Sequence, residues 1–234
     1  MNNEILLALS IIVIYGCVIV MYRFFGAAGL FCWTCVATIL ANIEVLRVVD
    51  AFGIEQTLGN VLFASTFLVT DILSEKEGAA TANRAVTIGI IASVMFIVIS
   101  QSWLLYTPSE SDWAGESFEM IFSNTPRLIL ASLVVYAICQ RFDVWLYHKW
   151  WKLTERLTGE KKRFLWVRNN FSTLVSQALN TVLYNVAAFW GIYDTDTLIS
   201  ICVGGYVVFI VTSIMDTPAI YIARKIQPKI RISI

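Results

Sequence analysis

Long apolar stretches without a single charged side chain recur along this chain of 234 residues and constrain its fold more than any other feature. A helix needs about 20 mostly apolar residues to cross a bilayer. Six charge-free stretches meet or approach that length: 5–22, 24–43, 56–70, 85–109, 169–193 and 197–215. A seventh, 127–148, is apolar but carries Arg141 and Asp143 near one end. The sequence therefore predicts an all-α, polytopic transmembrane bundle of about seven helices, with residues 1–234 forming one integral membrane domain.

The overall composition excludes an ordinary soluble domain and most other classes. Apolar residues make up 58% of the chain and charged residues 15%, with a mean hydropathy of +0.70, far from the balance of soluble proteins. A net charge of zero gives no sign of nucleic-acid binding. Cys32 and Cys35 have metal-ligand spacing, but they lie inside an apolar stretch with no second pair. No cofactor or metal is predicted.

Basic residues are concentrated in alternate connections between the spans. If the C-terminus is cytoplasmic, 14 of the 17 Lys and Arg residues fall inside, in four regions: Arg23, 76–84, 149–168 and 224–231. The connection 107–125 on the other side has no Lys or Arg and four carboxylates. This positive-inside pattern predicts an outside N-terminus and a cytoplasmic C-terminus.

The sixth span carries a broad polar stripe on one face. At 100° per residue, seven amides and hydroxyls fall within an arc of about 140°; they are Asn169, Ser172, Thr173, Ser176, Gln177, Asn180 and Tyr184. Such groups cannot face lipid, where each unpaired one costs several kcal/mol. They bind helices together or line a wet cavity, and their number favours the cavity.

Acidic side chains extend this polar interior into neighbouring spans. The third span, extended to Ile72, takes in Asp71, with Glu75 one turn further on. In the fifth span, Gln140 and Asp143 share a face, and Arg127 stands at the opposite end. Intramembrane acids are functional by default. Amides, carboxylates and tyrosines together suit a planar heterocycle rich in hydrogen-bonding groups better than a lone ion or a lipid.

Several segments resemble the queuosine precursor transporter family, also described as vitamin uptake transporters. The resemblance lies in Phe63–Glu75 with Gly78, in Arg127–Val144, in Arg168–Gln177, and in Tyr206 with Thr217-Pro218, and it spans about 42–224. It implies a multi-pass protein of the bacterial cytoplasmic membrane that imports 7-deazaguanine bases or queuine for tRNA modification by alternating access. The family's usual six helices would form the core, with 5–22 as an additional N-terminal helix.

The resemblance assigns substrate-binding roles to Asp71, Glu75, Arg127, Gln140, Asp143, Arg168, Ser172, Gln177 and Tyr206. Three asparagines of the polar helices, Asn42, Asn169 and Asn180, complete the predicted set. We expect a carboxylate to accept from the N1–H and amino edge of the base, amides to read the other edge, and an aromatic ring to stack on it. Two positions depart from the family pattern: Asn180 replaces an expected acid, and Phe209 replaces a frequent Lys.

Other functions remain open at the level of sequence. The chain has no phosphate-binding loop for ATP, so energy would come from an ion gradient or from an external ATP-driven partner. With such a partner, the chain would be the substrate-binding subunit for another vitamin-like heterocycle. A membrane-embedded hydrolase using Asp71 and Glu75 is a weaker alternative, since one His and no metal-ligand cluster argue for a non-enzyme. A structural membrane protein and a homo-oligomer also remain possible.

Overall fold

The computed structural model describes residues 2–123, 126–160, 164–191 and 194–230, and for residues 54–56 and 126–129 it describes the backbone alone. Within these residues the chain forms seven helical elements and one β-hairpin. They are α1 (Asn3–Glu44), β1 (Val48–Ala51), β2 (Ile54–Thr57), α2 (Gly59–Lys76), α3 (Ala79–Trp103), α4 (Gly115–Phe122), α5 (Pro126–Thr158), α6 (Leu165–Phe189) and α7 (Thr195–Lys225).

Helix α1 is two antiparallel spans joined at Gly26. A straight helix of 42 residues would measure about 63 Å, twice the hydrocarbon thickness of a bilayer. Gly26 instead adopts φ 60° and ψ −139°, a conformation open essentially to glycine alone. The chain therefore reverses, and the start of α1 reaches the segment after its own end: Asn3 Nδ2 donates to the Asp50 carbonyl at 2.8 Å.

The two halves of α1 with α2, α3, α5, α6 and α7 give the seven predicted spans. Four of the described helices are long and apolar enough to cross a membrane by composition: Asn3–Glu44, Ala79–Trp103, Leu130–Thr158 and Thr195–Lys225. Helices α2 and α6 carry more polar residues because they form the interior of the bundle. The prediction of an all-α membrane bundle is confirmed.

The predicted start of the third span at residue 56 is wrong. Residues 54–57 form β2, paired antiparallel with β1 so that Val48 opposes Thr57 and Ala51 opposes Ile54. Phe52 and Gly53 both have positive φ, which is what a two-residue hairpin turn requires. The chain turns here before α2 begins at Gly59, and α2 continues to Lys76, past the predicted end at Ile72.

Helix α5 and the acidic connection also differ from the sequence predictions. Helix α5 continues to Thr158, about three turns past the predicted end at His148. Helix α7 runs through Pro218 without a break. The acidic connection 107–125 contains the short helix α4, whose Phe118 and Phe122 pack on Trp103 of α3 with ring centroids 5.8 and 5.2 Å apart.

The ends of the helices divide into two sides as the alternation of spans demands. On one side, Lys76 Nζ donates to the carbonyls of Arg224 and Ile226, and the Lys229 amide donates to the Arg23 carbonyl. We call this the basic end. The β-hairpin, the start of α1 and α4 lie at the opposite, acidic end. That the basic end is cytoplasmic remains a prediction from the charge pattern.

Polarity in this bundle is inverted relative to a soluble protein. Ile12 is 66% exposed and Val98 63% exposed on the outer faces of α1 and α3, whereas Asp71, Gln140 and Asp143 are fully buried. Exposed apolar side chains on long helices suit a hydrocarbon solvent. The molecule is a multi-pass membrane protein with a polar interior.

Candidate functional site

A cavity of about 390 Å³ opens in the acidic half of the bundle, between the β-hairpin and the end of the α6 polar stripe that begins at Asn180. Helices α1, α2, α3, α5, α6 and α7 all contribute to its wall. Its volume lies within the range of about 300–1,000 Å³ that is usual for small-molecule sites. Its polar wall is made mainly of amides and tyrosines: Asn42, Asn60, Tyr136, Asn180, Tyr184 and Asn185.

The amides of the cavity wall differ in how far they are already bonded. Asn42 Nδ2 donates to the Thr38 carbonyl at 2.7 Å, and Asn185 Nδ2 donates to the Thr181 carbonyl at 2.9 Å. The side-chain oxygens of both residues therefore stay available to accept a hydrogen bond from a ligand. No described residue hydrogen-bonds to the side chain of Asn180, which is 8% exposed. A buried amide keeps a strong demand for partners, so Asn180 offers a donor and an acceptor to a ligand.

Three aromatic rings form the floor of the cavity. Phe63 of α2 lies 5.8 Å from the ring centroid of Tyr136 on α5 and 6.4 Å from that of Phe209 on α7, both in edge arrangements. Phe67 lies below Phe63, one turn along α2, with a ring separation of 5.5 Å. The Tyr136 hydroxyl meets the space where a side chain at position 89 would begin, so Gly89 lets α3 pack closely against it.

A buried polar layer lies beneath this aromatic floor, one turn nearer the basic end. Gln140 Nε2 donates to Thr66 Oγ1 at 2.5 Å, and Thr70 Oγ1 donates to Gln140 Oε1 at 3.3 Å. These bonds join α5 to α2. Because every side chain in this layer is fully or nearly fully buried, each bond is made in a low-dielectric setting where it is strong and its loss is costly.

Two carboxyl groups occupy the same layer and contact helix α6. Thr173 Oγ1 donates to Asp71 Oδ2 at 3.2 Å, and Ser176 Oγ donates to Asp143 Oδ1 at 2.6 Å. The other carboxyl oxygens, Asp71 Oδ1 and Asp143 Oδ2, have no donor among the described residues. The two donors, Thr173 and Ser176, are three residues apart on α6, so the two acids contact neighbouring positions on one face of that helix. The amide groups of Asn169 and Gln177 on α6 are buried there without described partners.

An ion-pair cluster around Glu75 lies at the basic end of the bundle, beyond the polar layer. Arg168 Nη2 lies 2.5 Å from Glu75 Oε2, and Arg224 Nε lies 3.4 Å from Glu75 Oε1. The Tyr147 hydroxyl donates to the same Glu75 carboxylate at 3.0 Å. The Arg168 guanidinium lies over the Trp151 ring, 4.3 Å from its centroid, which stabilises a buried cation. This cluster ties α2, α5, α6 and α7 together.

The predicted substrate-binding residues thus lie at several depths between the cavity and the basic end. Asn42 and Asn180 line the cavity. Asp71, Gln140, Asp143 and Gln177 lie in the polar layer below, and Asn169 and Ser172 lie one turn deeper, with Ser172 Oγ bonded to carbonyls of its own helix. Glu75 and Arg168 form the ion pair at the basic end. Tyr206 lies apart from the cavity wall and donates to the Leu174 carbonyl at 3.2 Å. The Arg127 side chain lies outside the described part of the chain.

Sequence reasoning missed several residues of the cavity and of the closing cluster. Asn185 extends the polar stripe of α6 by one turn beyond Thr181, and the spacing of four residues was a usable signal. Asn60 lies just inside the start of α2, which was predicted to begin earlier. Tyr147 and Trp151 are outside the predicted set of site residues, but both contact buried Arg168. No local pattern could have shown that contact.

Both departures from the family pattern face the same space. Asn180 and Phe209 are on the wall of the cavity, contributed by different helices. Phe209 is 4% exposed and belongs to the aromatic floor. The family pattern would place an acid at position 180 and a lysine at position 209, and so two opposite charges in the cavity. The amide and the phenyl group found here contribute no charge to the cavity wall.

Residues 57–223 match the model of a family described as "Putative vitamin uptake transporter". A relative from Bacillus subtilis (strain 168), named "Probable queuosine precursor transporter", is 36% identical over 211 residues, which cover 90% of each chain. No solved structure gives a significant match. On these matches and the membrane-spanning fold, the chain belongs to the vitamin uptake transporter family.

Proposed function

We propose that this protein imports queuosine precursors, namely 7-deazaguanine bases or queuine, across the cell membrane. The observation that carries the proposal is the cavity, in which amides with hydrogen-bonding capacity left over, above all that of Asn180, lie beside aromatic rings. The relative from Bacillus subtilis, named for this transport activity, matches nearly the whole chain. The base would pass unchanged, so the protein acts as a transporter and not as an enzyme.

The cavity chemistry fits a flat, neutral base. A 7-deazaguanine presents donors at N1 and the exocyclic amine, an acceptor at the carbonyl, and two apolar faces. The amides of Asn42 and Asn180 offer both donors and acceptors, and Phe63 and Phe209 offer ring surfaces at the floor. We propose that Asn42 and Asn180 read the edge of the base while the aromatic floor contacts its face.

The closed basic end suits alternating access. Below the cavity, the base would meet first the aromatic floor, then the polar layer, and finally the Glu75 cluster. We propose that separation of Glu75 from Arg168 and Arg224 opens the path to the basic end while the acidic end closes. In that state Asp71, Gln140, Asp143 and Gln177 would contact the moving base.

Uptake complementation tests the proposed function. Cells that cannot make the base, but can insert it into tRNA, would express this protein and receive the 7-cyano base, the 7-aminomethyl base or queuine. We expect modified tRNA to return with at least one of them. Absence of modified tRNA with all three, with the protein present in the membrane, would refute the function.

A matched pair of variants tests the proposed site. Asn180→Ala removes an amide that faces the cavity, and Val182→Ala shortens a side chain on the same helix that is 52% exposed on its outer face. Loss of one or two ligand hydrogen bonds costs about 1–3 kcal/mol, so affinity for the base should fall by about 5–150-fold in Asn180→Ala alone. Equal affinities in the two variants would remove Asn180 from the site.

A further inference from the structure

The polar layer contains two carboxyl groups whose simultaneous ionisation is energetically unfavourable. Asp71 and Asp143 are fully buried, and the charged groups acting most strongly on Asp71 are two other carboxyls, those of Asp143 and Asp216. The nearest described cation along α6, Arg168, is bonded to Glu75 at the basic end. Like charges in a low-dielectric interior repel strongly, so this layer requires a positive ligand.

The hydrogen-bond pattern shows which ligand fits. Each acid accepts one hydroxyl donor, from Thr173 or Ser176, and each keeps one oxygen without a donor. Two carboxyl groups within reach of each other become complementary when one is protonated, because the protonated group donates to the other. A single proton therefore satisfies both groups.

A second observation supports a mobile ligand at this level. Gln177 is 1% exposed, and neither atom of its amide group has a described partner. It lies one turn from Thr173 along α6, toward the cavity, and so between the carboxyl pair and the cavity floor. Asn169, one turn on the other side of Thr173, is equally unbonded. Buried polar groups of this kind are normally satisfied by water, which can carry a proton from the cavity.

We propose that Asp71 and Asp143 together bind one proton, and that this proton is carried inward with the base, which couples uptake to the proton gradient. The proposal rests on the proposed transport function. A metal ion fits the site less well, because no group of three His, Cys, Asp or Glu able to hold one occurs among the described residues. The hydroxyls of Thr173 and Ser176 already donate to the two carboxyl groups.

Other titratable groups around the pair define a route for the proton's release. Glu75 follows Asp71 by one turn on α2, and Tyr147 follows Asp143 by one turn on α5. The Tyr147 hydroxyl donates to the Glu75 carboxylate at 3.0 Å. The titratable groups that interact with the pair from the packed helices are Tyr15, Cys139, Tyr147 and Asp216. Glu75 and Arg168 contact Tyr147 on its far side, at the basic end. Opening of the Glu75 cluster would connect the pair to the basic end.

Infrared spectroscopy of the purified protein without any base tests the proton site directly. We expect the difference spectrum between wild type and Asp71→Asn, and that between wild type and Asp143→Asn, to show loss of a protonated-carboxyl C=O band near neutral pH. Asp196→Asn, at an exposed acid in the first turn of α7, should leave the band unchanged. Absence of the band from both difference spectra would overturn the proposal.

Proteoliposomes loaded at defined pH test the coupling, with the 7-cyano base as probe. An inward proton gradient should drive accumulation of the base and acidify the lumen, and a protonophore should abolish both. Proton-driven accumulation of the base should fall at least tenfold in Asp143→Asn and recover in part in Asp143→Glu. Asp71→Asn provides a second test if Asp143→Asn does not insert.

The outcomes separate the two proposals. Exchange of the base without proton-driven accumulation, or accumulation that requires Na⁺ or ATP, overturns the coupling and leaves the transport function. A wild-type protein that shows the carboxyl band but neither exchanges nor accumulates the 7-cyano base, the 7-aminomethyl base or queuine refutes the transport function and the coupling with it. Accumulation by both Asn variants equal to wild type would also overturn the coupling.

Discussion

Neutralising Glu75 should destabilise this protein more than any other single change at the basic end. The Glu75→Gln variant removes the carboxylate that contacts both Arg168 and Arg224. Arg168 is fully buried and cannot lose its proton inside a protein. Breaking a buried ion pair by removing one partner costs about 3–5 kcal/mol.

Replacing the other partner of the ion pair, Arg168, should cost less stability. In Arg168→Met, a side chain of similar length keeps much of the packing, while Glu75 retains Arg224 and the Tyr147 hydroxyl. We expect a loss of about 1.5–3 kcal/mol, the value of hydrogen bonds to a charged group. In the double variant Glu75→Gln/Arg168→Met the buried cation is absent, so stability should recover to above that of Glu75→Gln.

Thermal unfolding of the detergent-purified protein measures these differences. About 3–5 kcal/mol corresponds to a decrease in Tm of roughly 6–20 °C for a chain of this size. Glu77→Gln is the matched control, because the same substitution is made two residues away at an exposed position. A Tm for Glu75→Gln equal to that of Glu77→Gln, or a double variant less stable than Glu75→Gln, would refute the role of the ion pair.

Three further predictions concern glycines and the cavity floor. Gly26→Ala should lower stability by about 1–3 kcal/mol because only glycine accepts this backbone conformation, whereas Gly16→Ala, with open space around its Cβ, should be neutral or slightly stabilising in thermal unfolding. Gly89→Ala should lower the free energy of unfolding by about 1–3 kcal/mol through overpacking, because the added methyl group would contact the Tyr136 hydroxyl. Tyr136→Phe in the same chain should restore part of that stability, and no recovery would contradict the contact. Phe209→Lys should reduce uptake of the cationic 7-aminomethyl base at least tenfold relative to the 7-cyano base, since two cations about 4 Å apart repel by about 4 kcal/mol at an effective dielectric of 20; an unchanged ratio in competition uptake would remove position 209 from the substrate site.

The proton and the base are assigned to different levels of the interior. The cavity wall holds amides and rings, which recognise a neutral base, and the acids are buried beneath the aromatic floor. Because the floor residue Phe63 belongs to the same helix as Asp71, movement of α2 would affect the base and the carboxyl pair together. That shared helix gives a physical reason for coupling between the two.

The sequence alone determined the solvent in which this protein folds and the number of its spans. Both follow from local properties, since a bilayer requires about 20 apolar residues per helix whatever the partners are. The polar face of α6 was also readable, because helical periodicity places residues three and four apart on one side. The start of α2 was misjudged, because residues 56 and 57, which begin a charge-free stretch, belong to a strand that pairs through a hairpin turn.

Only the tertiary structure decided which polar groups meet. The contacts of Asp71 with Thr173, of Asp143 with Ser176 and of Glu75 with Arg168 join residues 102, 33 and 93 positions apart. Nothing in the local sequence shows whether a carboxyl group will pair with a cation or accept a hydrogen bond from a hydroxyl group. Packing of α2, α5 and α6 against one another makes that choice, because an acid in a low-dielectric interior takes its character from the groups that neighbouring helices place beside it.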